Sequence, residues 1–313
     1  MAPTNLIRKS SSPRVAVAIP CYNEAATIGK VVRDFRKALP RAKVYVYDNN
    51  STDGTAALAQ EAGAQVRRVV SQGKGYVLRA MFDQLKENVV VLVDGDDTYS
   101  AKEVNKLLAP VLADAVDMVI GERMAAASDA NMKPLHQFGN RFFVSFLNRL
   151  FNVHFVDVLS GYRVFSRRFI ESVPVLTSGF EVETEITLQA LAEGLRVLEI
   201  PVTYRARPRD SQSKLRPFAD GYRIVLTTAI LLRDHHPLRL FGWVTAGFWL
   251  IALVAGILRL FSFYGQGTLP DSILGGLVLL AVPSGLITLG IGLSLNAINT
   301  RFQEIKNFLR RSR

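Results

Sequence analysis

Between residues 14 and 238, short runs rich in β-branched residues alternate with stretches of helical periodicity. Val15–Ile19 (VAVAI), Lys43–Tyr47 (KVYVY), Val66–Val70, Val89–Val93 (VVVLV) and Met118–Ile120 read as strands. Thr27–Leu39 places Ile28, Val31, Val32, Phe35 and Leu39 on one helical face, and Thr55–Ala62, Gly75–Glu87 and Ala101–Ala113 read as further helices. Strand–helix alternation predicts an α/β fold with a doubly wound, mostly parallel sheet. Ligands of such sheets bind outside the carboxyl ends of the strands, so the polar residues that end each strand are the candidates for chemistry.

The pattern changes after residue 238. Leu240–Leu258 and Ile273–Ile298 are uncharged throughout, and only Arg259 and Asp271 carry charge between residues 240 and 300. A bilayer core takes about 20 apolar residues as helix, so both runs are long enough to span one. Gly265–Asp271 is a turn between them, and Pro283 and the glycines of the second run are tolerated in membrane helices. Trp243, Trp249 and Tyr264 suit interfacial positions. Arg233 and Arg239 precede the first span, and Arg301, Lys306, Arg310, Arg311 and Arg313 follow the second. The excess of positive flanking charge predicts both flanks, and the N-terminal domain with them, on the cytoplasmic side. Met1–Pro13 has no apolar core of a signal peptide and reads as a short mobile arm.

Composition sharpens this division. The chain of 313 residues is 49% hydrophobic and carries a net charge of +11. That apolar content excludes disorder, and a single cysteine, Cys21, excludes an intrachain disulfide and a multi-cysteine zinc site. Basic charge alone would suggest nucleic acid, but no zinc spacing, basic helix with heptads or ribonucleoprotein motif is present, so no nucleic-acid partner is expected. Much of the charge sits at the flank of the spans, in Phe138–Phe151 (FGNRFFVSFLNRLF) and in the loop of Arg205, Arg207, Arg209, Lys214 and Arg216. In Phe138–Phe151, Arg141, Ser145 and Asn148 form one polar stripe on a Phe-rich helix, a pattern suited to a membrane interface and an anionic headgroup. The four histidines form no ligand cluster or triad.

The strand ends carry the chemistry. They read Pro20-Cys21-Tyr22-Asn23-Glu24, Asp48-Asn49-Asn50-Ser51-Thr52-Asp53-Gly54-Thr55, Gln72-Gly73-Lys74-Gly75 and Asp94-Gly95-Asp96-Asp97. Asp94 and Asp96, one residue apart after an all-apolar strand, are costly unless something positive neutralises them. Hard oxygen ligands at that spacing suit Mg²⁺ or Mn²⁺ shared with a diphosphate. Asp97 adds a third charge, and Asp53 precedes a helix that it could cap. No G-x-G-x-x-G follows the first strand, and Gly73-Lys74-Gly75 lacks the rest of a P-loop: it is either a plain turn or a close approach to a phosphate. Glu181, Glu183 and Glu185 alternate with apolar residues at a helix start, where they either favour the helix dipole or orient a sugar or a basic loop.

In this order, the segments resemble family 2 glycosyltransferases of the GT-A fold. They resemble more narrowly the polyprenyl-phosphate hexosyltransferases of the dolichol-phosphate mannose synthase and bacterial GtrB type. The resemblance covers residues 14–238, and the paired spans fit its membrane-anchored members. It implies that Pro20, Tyr22, Glu24 and Asp48 line the nucleobase and ribose site. Asp94, Gly95 and Asp96 would bracket the ribose and the metal–diphosphate, with Thr98 where the mannose synthases carry a glutamine beside the metal. Arg123, in Gly121-Glu122-Arg123, would lie near the donor phosphates. Arg141 and Ser145 match an R-x-x-x-S element for the lipid phosphate, and Asp157–Arg163 (DVLSGYR) matches an acceptor-side element. Arg207 and Ser213-Lys214-Leu215 match a late loop that closes over donor and acceptor.

The implied reaction transfers a hexose, from UDP-glucose or GDP-mannose, to undecaprenyl or dolichyl phosphate with inversion, using Mg²⁺ or Mn²⁺. The catalytic set is Asp94, Asp96, Asp157 and Arg123, with Asp157 either orienting basic groups or acting as a base. The expected organisation is an arm (1–13), a GT-A catalytic domain (14–215), an amphipathic interface helix (216–238), two transmembrane helices (239–300) and a basic cytoplasmic tail (301–313). Membrane-anchored members can form homo-oligomers, and no heptad here fixes a number. Two rivals share features: a non-catalytic nucleotide-sugar-binding membrane module, and a processive polysaccharide synthase. The latter needs a Q-x-x-R-W element, whereas Trp243 and Trp249 both lie in the first span.

Overall fold

The computed structural model describes residues 13–123, 144–145, 147–149, 153–208, 217–264 and 270–311. The chain divides into two units, residues 1–224 and 225–313.

The first unit is built on a seven-stranded sheet in the order β3-β2-β1-β4-β6-β5-β7. Its strands are β1 (Val15–Cys21), β2 (Lys43–Asp48), β3 (Gln65–Arg68), β4 (Val89–Leu92), β5 (Met118–Arg123), β6 (Arg163–Ser166) and β7 (Val197–Val202). All pair in parallel except β6, which runs antiparallel between β4 and β5. The five expected strands are present, and β6 and β7 complete the sheet on the far side of β4.

Successive residues of a strand face opposite sides, and both sides are covered here, so the central strands are apolar throughout. On one side Val17, Ile19, Val46 and Val91 pack with Ile28, Val32 and Phe35 of α1 (Ala25–Ala38) and Leu107 of α4 (Val104–Leu112). On the other side Ala16, Ala18, Tyr45, Tyr47, Val90 and Leu92 pack with Leu78 and Met81 of α3 (Lys74–Gln84). Phe169 of α5 (Arg167–Ser172) and Ile186 of α6 (Val182–Ala192) join them. The helix α2 (Thr55–Glu61) follows β2. The stretch read as one helix over 101–113 is a 3₁₀ turn, Ala101–Glu103, capped by the Ser100 hydroxyl, followed by α4. The third strand ends two residues earlier than expected, and Val70 beyond it is 77% exposed.

In the second unit, α8 (Pro237–Phe263) and α9 (Asp271–Arg311) form an antiparallel pair, preceded by α7 (Pro217–His235), which starts in the first unit. α8 and residues 271–302 of α9 are long and apolar enough to cross a membrane, and most of their side chains are exposed, unlike those of a core helix. The Thr245 and Thr288 hydroxyls meet at 2.9 Å, and Arg259 pairs with Asp271 at 2.8 Å where the two helices approach their turn. α9 continues unbroken to Arg311, past residue 300.

Candidate active site

The carboxyl ends of β1, β2 and β4 converge around the buried Cys21. Burial, and then the charges of Glu24, Asp48, Asp94 and Asp96, hold its thiol well above the usual value. A thiol so disfavoured as thiolate is a packing group and not a nucleophile.

After β1, Asn23 takes a left-handed backbone (φ 52°), and its side-chain oxygen accepts from the Thr52 amide at 2.8 Å. This bend leaves Tyr22 exposed and Glu24 buried. Asp53 braces the two loops: it accepts from the Ala25 amide at 3.0 Å and from the Thr55 amide at 3.1 Å. Burial works against its charge, but the Thr55 hydroxyl and those amides outweigh it and hold the carboxyl below its usual value. Asp48 is buried at the end of β2 and accepts from the Ser51 amide. Asn49 reaches sideways, donating to the Val69 and Ser71 carbonyls and accepting from the Gly73 amide at 2.7 Å.

Asn49 thereby fixes the loop that presents Lys74. Gly73 has φ 140°, and a Cβ there would overlap the Ser178 carbonyl. The Lys74 ammonium is largely buried and bridges Asp94 Oδ1 at 2.7 Å and Glu183 Oε1 at 2.6 Å. Burial opposes its charge, but the two carboxylates win and raise its pKa. Gly73-Lys74-Gly75 is therefore more than a plain turn: its lysine neutralises the first aspartate after β4.

Asp96 is 3% exposed. Its Oδ1 accepts from the Thr98 amide at 3.2 Å and the Thr98 hydroxyl at 2.6 Å. Its Oδ2 is held by the Arg207 guanidinium, which also lies 4.0 Å from Glu24. Asp97 turns away with a left-handed backbone and pairs with Lys30 at 2.7 Å, so its charge is answered outside the site. The Gly95 carbonyl accepts from the Thr27 hydroxyl at 2.6 Å, tying this loop to α1.

Arg123, at the end of β5, grips both oxygens of Asp157 at 2.6 and 2.7 Å and lies over the Tyr204 ring. Burial disfavours the guanidinium charge, but Asp157 more than compensates and raises its pKa. Glu199 fixes the other side of Asp157 by accepting the Val156 and Asp157 amides at 2.7 and 2.9 Å. Arg163, fully buried, donates to the Ser160 and Val158 carbonyls and to the Thr187 hydroxyl, and so holds the Asp157–Gly161 turn from below. A Cβ at Gly161 would overlap the Asp94 carboxylate and displace it.

The three alternating glutamates have separate roles. Glu185 accepts the Leu176 and Thr177 amides, Glu183 pairs with Lys74, and Glu181 Oε2 is buried with no hydrogen-bond partner among the described residues. All three are buried, which a surface helix-dipole role does not require. Ser145 is exposed on a short helical segment, and Asn148 of the same stripe is engaged with the Phe155 backbone. Arg141, Ser213 and Lys214 lie outside the described residues.

Among the described residues, no three His, Cys, Asp or Glu side chains group as a metal cage. Asp94 and Asp96 still fit Mg²⁺ or Mn²⁺ in donor chemistry: both present hard carboxylate oxygens, and each already attracts a cation.

A mixed sheet with helices on both faces, and paired acidic and basic side chains gathered at the ends of its parallel strands, defines the glycosyltransferase class with the GT-A fold. The chain belongs to glycosyl transferase family 2, whose family model matches residues 16–173. It is 38% identical over 235 residues to Glycosyltransferase AglJ of Haloferax volcanii, covering 74% of this chain and 76% of that protein. It is 30% identical over 211 residues to a dolichyl-phosphate hexose transferase of the same organism, covering 67% of this chain and 90% of that one. The fold is similar to that of glucosyl-3-phosphoglycerate synthase from Mycobacterium tuberculosis, solved with Mn²⁺, UDP-glucose and phosphoglyceric acid. There the TM-score is 0.60 at 21% identity, covering 70% of this chain and 79% of that one.

Proposed function

We propose that the protein transfers a hexose from a nucleoside diphosphate sugar, UDP-glucose or GDP-mannose, to a polyprenyl phosphate at the cytoplasmic face of a membrane. The anomeric centre is inverted, and the product is a polyprenyl-phosphate hexose. The observation that carries this reading is the pairing of Asp94 and Asp96 with Lys74 and Arg207 at the strand ends, in a chain that also has two apolar helices. The similarity to a dolichyl-phosphate hexose transferase over most of that protein's length supports the acceptor class.

The acceptor phosphate oxygen is already anionic near neutral pH and needs little help from a base. The barrier lies in bringing two anions together and in stabilising the departing nucleoside diphosphate. Asp94 and Asp96 would hold Mg²⁺ or Mn²⁺, with Thr98 orienting Asp96. A bound ion supplies Lewis-acid charge for the leaving diphosphate. Pro20, Tyr22, Glu24 and Asp48 would receive the base and ribose, with Gly95 joining the two aspartates where a Cβ would overlap the Cys21 sulfur. Arg123 would add positive charge at the donor phosphates, and Arg207, Ser213 and Lys214 would close over them. Arg141 and Ser145 would hold the lipid phosphate. Of the two roles open to Asp157, orientation is favoured, because both of its oxygens accept from Arg123.

The test is transfer of label from UDP-glucose or GDP-mannose to organic-extractable undecaprenyl phosphate by purified protein with Mg²⁺. Asp96→Ala is expected to abolish transfer while the unfolding transition is retained. Undiminished turnover by that variant would overturn the site assignment.

A further inference from the structure

The carboxylates after β4 each carry a cation, but of different kinds. Lys74 bridges two carboxylates, the buried Glu183 and the half-buried Asp94, and its side chain is 11% exposed. Arg207 sits on a loop, and its side chain is 29% exposed. Among the described residues its close carboxylate contact is Asp96 Oδ2, the oxygen left open because Thr98 saturates Oδ1. The start of that loop is anchored beside the same residues. The Arg205 amide donates to the Thr98 carbonyl at 2.8 Å, and Tyr99 bridges Tyr204.

We infer that Arg207 is an exchangeable counter-ion of the metal site: its guanidinium occupies Asp96 until a divalent cation arrives, and cation arrival releases it toward the substrate phosphates. The inference rests on the metal-dependent transferase reading above and adds an order of events to it. A carboxylate buried to this degree requires a positive partner in every state. A guanidinium and a divalent ion sharing one outward oxygen repel each other across a few ångströms, so each weakens the other there. Binding of one therefore favours release of the other, and the coupling is reciprocal: whatever draws Arg207 away tightens the metal, and the metal loosens Arg207 for an anion. A planar guanidinium fits a phosphate as well as it fits a carboxylate, so it need not remain unpaired once released. The loop would thus engage substrate only when the metal is in place.

The experiment titrates Mn²⁺ alone into the full chain in detergent, without nucleotide, and follows free Mn²⁺ by electron paramagnetic resonance. Arg207→Gln is expected to bind Mn²⁺ about tenfold more tightly than the parent, the worth of one charge-assisted hydrogen bond. Arg205→Gln removes the same charge from the same loop but faces Asp97 at 4.0 Å and the Ser100 hydroxyl, so it is expected to shift affinity by less than about twofold. Equal affinity in parent and Arg207→Gln, or equal tightening by both variants, overturns the inference and leaves the transferase reading standing. Absence of Mn²⁺ binding in both parent and Arg207→Gln overturns the inference together with the metal site.

Discussion

Replacing Lys74 with methionine tests whether the buried lysine holds the site together. The substitution keeps an unbranched side chain, one atom shorter, and removes its charge. The ammonium is 2.7 Å from Asp94 and 2.6 Å from Glu183, so the variant leaves two carboxylates facing one another. Removing one partner from a buried ion pair costs about 3–5 kcal/mol. Glu183 is 5% exposed and bears the full cost, whereas Asp94 is 27% exposed and regains water, which places the expected loss near the low end, about 3 kcal/mol. For a unit of this size that is a fall of roughly 10 °C in unfolding temperature. The measurement is differential scanning calorimetry of the full chain in detergent at one scan rate. The double variant Lys74→Met/Glu183→Gln no longer buries two opposed carboxylates, and it is expected to recover about 2 kcal/mol relative to the sum of the single changes. A single variant within about 2 °C of the parent, or a double variant whose losses simply add, would refute the bridging role.

Two further outcomes follow from the same geometry. Gly161→Ala places a Cβ against the Asp94 carboxylate, so label transfer is expected to fall by about a hundredfold or more while the calorimetric transition moves by only a few degrees. Asp117 is buried at the start of β5; burial works against its charge, but hydrogen bonds from Arg196 prevail and hold its carboxyl below the usual 3.8. A carboxyl depressed by folding contributes stability above the unfolded value and loses it as pH falls through the folded one. Asp117→Asn should therefore unfold at a lower temperature than the parent at pH 7, with the two converging below pH 3.8; a constant gap across that range would remove Asp117 from the acid limb.

The parts of the fold legible in the sequence are those where burial writes one rule. β1 and β4 are apolar on both faces because helices cover both, and α1 shows its buried Ile28, Val31, Val32 and Phe35 at helical spacing. β6 and β7 break that rule. β6 opens with Arg163, a charged residue that is fully buried because the Ser160 and Val158 carbonyls receive its guanidinium. β7 contains Glu199 and Pro201, and it is the last strand of the sheet, where a residue without an amide proton is tolerated. Hydrophobic patterning is blind to both, since one strand satisfies its polar group internally and the other needs no second neighbour.

The site shows a similar division between identity and partnership. Strand ends name Glu24, Asp48, Asp94 and Asp96, because polar residues after apolar strands stand out locally. Their counter-ions come from elsewhere: Arg207 is 111 residues from Asp96, and Lys74 is 20 from Asp94. Nothing local in the sequence distinguishes the lysine that is locked between two carboxylates from the arginine that holds one. Burial makes that distinction. A cation bridging two carboxylates loses both on leaving, whereas Arg207, whose close carboxylate among the described residues is Asp96, gives up a contact that the incoming ion restores to Asp96. The same four kinds of charged side chain can therefore build a fixed wall on the Asp94 side and an exchangeable contact on the Asp96 side. On the inference above, a divalent ion is admitted at the Asp96 side, where compensation is exchangeable, whichever aspartate the motif places first.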